Sequence, residues 1–191
     1  MFNELITNDR GWWGNKWGLQ LGLQYTNVLG IDQLDLRLEH NRARPYLFTH
    51  YDGSNSYTQF GMPLAHPLGA NFAETLLHIR YRPLPRLTLD GRLYFIEQGE
   101  DDPANGLVFG ENINAPSEIR PQEYGNTIGQ GLHYNNQLLA LEASYMLKHN
   151  LFLEGVFLHR NKAADQPERS SETTYLHLGL RLNVARRRDY F

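Results

Sequence analysis

Alternation with a period of two residues governs most of this chain. In the stretch 173–184, T-T-Y-L-H-L-G-L-R-L-N-V, Leu176, Leu178, Leu180 and Leu182 fall on one side of an extended backbone. Tyr175, His177, Gly179, Arg181 and Asn183 fall on the other, because successive side chains of a strand point to opposite faces. A leucine wall backed by a charged wall separates water from hydrocarbon or from a dry core. No sustained window carries the 3.6-residue spacing of an amphipathic helix.

The same pattern recurs along the chain. Trp17, Leu19, Leu21, Leu23 and Tyr25 alternate with Gly18, Gln20, Gly22 and Gln24, and Leu34, Leu36 and Leu38 alternate with Asp35, Arg37 and Glu39. Read in order, the alternation predicts strands over about 17–28, 33–40, 73–82, 86–96, 137–148, 151–160 and 173–184. Long connections are expected over 41–72, 97–136 and 160–172, and short ones between the others. Short and long connections then take turns, so the long ones gather at one end of the strands. Membrane barrels have this asymmetry, with short turns on one rim and long loops on the other. The predicted fold is all-β: an antiparallel up-and-down outer-membrane β-barrel of about seven strands, forming one segment over 1–191.

Bulk properties agree with such a barrel without requiring it. The chain has 191 residues, no cysteine, a net charge of -3 and a mean hydropathy of -0.53. The charge gives no electrostatic case for nucleic acid. Without cysteine there is neither a disulfide framework nor a cysteine-based metal site. No run approaches the ~18 apolar residues of a spanning helix, whereas barrel strands turn only half their residues to lipid. The first residues, M-F-N-E-L-I-T-N-D-R-G, hold no basic region followed by an apolar stretch, so no signal peptide is read there. Seven strands do not close an even-stranded bacterial barrel. The expectation is therefore an incomplete part of a larger barrel, with further strands upstream.

Several blocks carry a resemblance. They are the G-W-W-G-N-K of 11–16, the run 34–39 leading to Asn41 and the R-P-Y of 44–46, and the P-L-A-H-P-L-G-A-N-F of 63–72. The E-Y-G-N-T-I-G-Q-G of 123–131 and the S-Y-M-L-K-H-N of 144–150 extend it. Together they resemble the C-terminal part of Bacteroidetes outer-membrane proteins related to the gliding-motility protein RemB, a group similar in turn to the capsule-assembly protein Wzi. The chain end also looks like the C-terminal sorting and insertion signal of bacterial outer-membrane barrels, with His177, Gly179, Leu182, Val184 and the terminal Phe191 as its positions. The resemblance implies a barrel in the cell outer membrane, linked to surface polysaccharide (capsule) attachment or assembly or to gliding motility. It implies no enzymatic activity. The implied partners are the lipid bilayer, surface polysaccharide and the gliding or secretion machinery.

The 41–72 connection holds the candidate ligand residues. Flat aromatic rings stand among neutral hydrogen-bonding groups, with Asp52 the only acidic residue between Pro45 and Phe72. Aromatic faces stack on sugar rings while amides and imidazoles read hydroxyls. Arg44, Tyr46, His50, Tyr51, Gln59, His66 and Asn71 form the candidate glycan set. The competing account is a loop packed on itself, with prolines and glycines making turns and aromatics making contacts. His50, Asp52 and His66 lack a third ligand at a firm metal spacing, and no cofactor is implied. The 97–136 connection is acidic, with Arg120 its one basic residue. It reads either as hard oxygen ligands for a divalent cation or as a solvated acidic loop. Charges between the leucines, among them Arg37, Arg80, Asp90, Arg92, Glu142, Glu154 and Arg181, are expected to line an inner side together with His40 and His78.

Two other functional classes fit the same residues. One is a small lipocalin-like barrel, soluble or membrane-bound, holding an apolar ligand. Trp17, Tyr25, Tyr81 and Tyr145, placed near strand ends as a membrane girdle would be, weigh against it. The other is an outer-membrane enzyme modifying lipid or sugar, with His50, Asp52 and Ser54 crowded together.

Overall fold

The computed structural model describes residues 11–50 and 55–183. Among them, nine strands run in chain order: β1 (Gly18–Tyr25), β2 (Leu34–Ala43), β3 (Thr58–Gln59), β4 (Met62–Pro63), β5 (Phe72–Leu84), β6 (Leu87–Glu100), β7 (Leu132–Lys148), β8 (Leu151–Ala164) and β9 (Ser171–Leu182). Seven of them form one antiparallel meander in the order β1-β2-β5-β6-β7-β8-β9, and β3 and β4 form a separate hairpin. The fold is all-β. The large sheet is not closed: β1 and β9 are its edges, and strict alternation of direction makes these two run the same way.

Pairing extends the alternation from single strands to rows. Tyr25, Leu36, Ile79, Gly91, Leu141, Phe157 and Leu176 stand side by side across the sheet. Beside this row, in the direction of the short turns, come Leu34, Tyr81, Leu89, Ala143, Gly155 and Leu178; in the other direction come Leu23, Leu38, Leu77, Leu93 and Leu139. On β6 the apolar rows run from Leu87 to Phe95. At ~3.4 Å per residue and a tilt of ~40°, that band is roughly 20 Å tall along a barrel axis, near the ~25 Å of a lipid-facing belt. Tyr25, Tyr81 and Tyr145 stand on this face toward the short-turn ends.

The opposite face carries paired charges. His78 Nε2 lies 2.7 Å from Asp90, Arg92 lies 3.0 Å from Asp90 and 3.7 Å from Glu142, and Arg181 donates to Glu154 at 2.7 Å. Arg37 pairs with Glu39 on its own strand. The apolar face is uncovered: Leu178 is 74 % exposed and Leu141 45 %, and on the charged face Glu142 is 46 % and Asp90 16 % exposed.

Strands outrun the alternation mainly at the end that carries the long connections. β6 continues to Glu100 and β7 begins at Leu132, so the acidic connection is 101–131 rather than 97–136. β8 continues to Ala164 and β9 begins at Ser171, which leaves a connection of 165–170 closed by a 3-10 turn at Pro167–Arg169. The third outward connection is therefore short, and the expected regular alternation of short and long links holds only for the middle of the chain. The cause is local composition. The rows Gln137–Asn161 and Asn135–Ala163 on the leucine face, and Asn136–Lys162 between them on the other, are all polar or small, so the pattern fades while the backbone ladder goes on. His40 is a second correction. It shares the face of Leu36 and Leu38, with its Nδ1 3.0 Å from Thr75 Oγ1, and not the charged face with His78.

Among the described residues the buried apolar side chains are Ala43, Tyr46, Ala70, Phe72, Val108, Ile113 and Tyr134. All lie in the two long connections or at the strand tips beside them. The hydrophobic core is thus a loop layer at one end of the sheet, and the sheet itself has no packed face.

Candidate functional site

Asn71 is the bracket of this layer. It is fully buried, its Nδ2 donates to the carbonyls of Gly99 and Gln130 at 2.8 Å each, and its Oδ1 accepts the N–H of Gly129 at 2.9 Å. A left-handed backbone, φ 59°, aims the amide inward; Asn tolerates that conformation better than most residues do. The tips of β5 and β6 are thereby tied to the segment that leads into β7.

Tyr46 is the apolar centre. It is completely buried, its hydroxyl donates to the Val108 carbonyl at 2.8 Å, and its N–H donates to the Gly110 carbonyl at 3.0 Å. Burial, and after it the nearby Asp101 carboxylate, pushes its phenol well above the usual range. Trp13 meets Tyr46 edge to face at 6.2 Å and is itself flanked by two cations, Arg120 at 4.1 Å and Lys16 Nζ at 5.0 Å. Lys16 also donates to the Thr49 carbonyl at 2.8 Å, and burial, then Arg120, holds its ammonium pKa below the usual value. Arg44 is buried and donates to the Asn126 carbonyl at 3.0 Å. Asp101 Oδ1 accepts the N–H groups of Phe109 and Gly110 at 2.6 and 2.9 Å, turning its own loop back on itself. Beside it, burial first and then Asp101 and Glu100 raise the Glu111 carboxyl to about 7.

His66 belongs to a different cluster. Its ring stacks on Phe72 at 4.5 Å, its Nδ1 accepts the N–H of Leu68 at 3.2 Å, and its Nε2 lies 3.2 Å from Glu74 Oε1. Since Nδ1 accepts, the neutral ring carries its proton on Nε2 and donates to Glu74. Asn41 Nδ2 donates to the same oxygen at 3.0 Å. His66, Phe72 and Asn41 border a cleft of about 320 Å³ between the tips of β1 and β2 and the connection after β2, lined also by Gln20, Arg42 and Phe48. That size lies at the lower end of small-ligand pockets.

The seven candidate glycan residues therefore separate. Arg44, Tyr46 and Asn71 hold the layer together from inside and offer no surface to a ligand. His66 borders the cleft. His50 and Gln59 are exposed outside it, and Tyr51 lies outside the described residues, as do Asp52 and Ser54. The His50 N–H meets Ser56 Oγ at 3.3 Å. Among the described residues no three His, Asp or Glu side chains are grouped to hold a metal ion. Of the chain-end positions, His177 stacks on Tyr175 at 6.3 Å and Leu182 is exposed on the leucine face. A Cβ at Gly179 would lie 2.7 Å from the His177 ring. Val184 and Phe191 fall outside the described residues.

Sequence reasoning missed Asn41, Glu74 and the Trp13 clamp. The parity of Asn41 and Glu74 was a usable signal: both continue the charged side of their strands. Nothing local marks Arg120 as the partner of a tryptophan so far away in the chain. Compared with family models, with curated proteins and with solved structures, the chain matches none.

Proposed function

We propose that this chain is a non-enzymatic β-barrel segment of a bacterial outer membrane, whose outward loop layer engages surface polysaccharide or a gliding partner. One observation carries the membrane half of this reading: nothing packs on the leucine face, while the opposite face carries ion-paired charges. Water disfavours that arrangement, since apolar surface costs roughly 25 cal/mol per Å² exposed; hydrocarbon outside and an ion-paired lumen inside favour it. The blocks that resemble the RemB and Wzi group support the polysaccharide or gliding half. The cleft adds the stacking ring of Phe48 and the hydrogen-bonding groups of His66, Asn41 and Gln20. Carbonate extraction of membranes tests the placement: the protein is expected in the pellet, and release into the supernatant sinks it. His66→Ala and Phe48→Ala are expected to lower binding to isolated surface polysaccharide without changing that fractionation.

A hollow of about 600 Å³ on the leucine face, over Gly91, Ala143 and Gly155, favours the apolar-ligand alternative. That reading requires a detergent-free, monodisperse protein that takes up a fluorescent fatty acid. Aggregation without detergent speaks against it.

A further inference from the structure

The hairpin β3–β4 has a tip that its own fold does not explain. The two residues between the strands, Phe60 and Gly61, have φ of 51° and 75°. Positive φ at both positions is the type I′ hairpin, which prefers Asn-Gly or Asp-Gly. A phenylalanine there is strained, because a bulky L-residue clashes with its own backbone. Two other large side chains share this conformation. Tyr46 is wholly buried. Leu29, in the short link after β1, is 84 % exposed, and its N–H donates to the Tyr25 hydroxyl at 3.2 Å. Phe60 is 94 % exposed.

The tip is nevertheless fixed in place. Asn114 Nδ2, from the other long connection, donates to the Gly61 carbonyl at 2.8 Å. At the base, Tyr57 packs on Phe48 at 5.9 Å, and Leu64 N–H donates to the Tyr57 carbonyl at 3.2 Å. Met62 is 68 % exposed and Leu64 50 %. From Asn55 to Ala73 there is no Asp, Glu, Lys or Arg. Backbone strain held against solvent by a rigid support is a feature of recognition sites.

We propose that Phe60, with Met62 and Leu64, is an apolar finger that docks into an uncharged hydrophobic pocket on a partner protein. The chemistry selects this occupant. An anionic lipid surface or a charged glycan recruits Lys and Arg, which this stretch lacks. A neutral sugar needs several hydrogen-bonding groups beside the ring; Gln59 is the neighbouring amide, and the exposed Met62 and Leu64 have none to offer. Aromatic residues and Met are enriched at the centres of protein interfaces, where a few side chains dominate the affinity. The finger's role does not depend on the bilayer placement, and the two fail separately.

The test places a photo-reactive phenylalanine analogue at position 60 of the full chain in the cells that make it. Position 124, an exposed tyrosine on the other long connection, serves as control. One discrete protein adduct is expected at 60, absent at 124 and lost with Met62→Ser and Leu64→Ser. The partner, identified by mass spectrometry and purified, should bind Phe60→Ala roughly tenfold or more weakly than the parent chain. Phe60→Asn keeps the fold question apart from the docking question: it suits the turn, so thermal stability should hold or rise while binding is lost. Adducts only to lipid, glycan or a second copy of this chain, equal adducts at both positions, or unchanged binding of Phe60→Asn would overturn the proposal, as would no adduct at all.

Discussion

Asn71 links loops that lie far apart in the chain, its two donor bonds reaching 28 and 59 residues away. Asn71→Ala would leave a buried carbonyl, a part-buried carbonyl and a buried N–H without this partner, a loss of about 2–3 kcal/mol. It should appear as a lower melting temperature in detergent and as faster amide exchange near Gly99 and Gly129. Asn71→Gly removes the backbone strain as well, so it should destabilise somewhat less. Glu111 gives the same layer a pH dependence. Its folded pKa of about 7 lies above the usual 4.5, so the folded state holds the proton more tightly than the unfolded chain does. The corresponding stability is complete below about 4.5 and is lost as pH rises through 7. Exchange protection around 100–111, corrected for intrinsic rates, should be greater at pH 6 than at pH 8, and Glu111→Gln should abolish the difference. Neither role was legible beforehand. Asn71 looked like one more polar group among aromatics, and Asp101 and Glu111 like solvated acids, because burial in a loop layer leaves no periodic trace.

Strands were readable where their two faces carry different kinds of side chain and unreadable where they do not. The leucines placed strands over 17–28 and 173–184, within a few residues of Gly18–Tyr25 and Ser171–Leu182, since there they keep strictly to one face. The extensions to Glu100, from Leu132 and to Ala164 follow from backbone pairing alone, and alternation reports environment rather than pairing. The short hairpin β3–β4 stayed hidden for another reason: two residues per strand are too few for a period, and Phe-Gly is not a familiar turn pair. Adjacent positions on β7 offer a direct test of the two faces. Leu141→Arg would put a guanidinium in the middle of the apolar band, at a cost of about 2–4 kcal/mol if that band meets lipid. Ala140→Arg points to the charged side, next to Arg92 and Leu158 in the pairing. Leu141→Arg is expected to abolish heat-modifiable migration of the membrane-inserted protein, and Ala140→Arg to retain most of it.

At the scale of the whole molecule, a bare sheet and a packed loop layer divide the chain into two parts with different needs. The layer is held by its own core and polar brackets, while the sheet presents an apolar face on which nothing packs. Absence of cysteine makes their orientation accessible to single introduced thiols. Cysteine at Asn105 should react with an impermeant maleimide on intact cells, and cysteine at Arg86 or His149, in the short turns, only after the envelope is permeabilised. Labelling of both ends on intact cells would contradict the proposed placement. The rim strands add a rule of parity. Two strands that point the same way cannot be zipped into an all-antiparallel ring directly, nor by adding a like-oriented twin along either rim. A closed cylinder built on this meander takes an odd number of intervening staves.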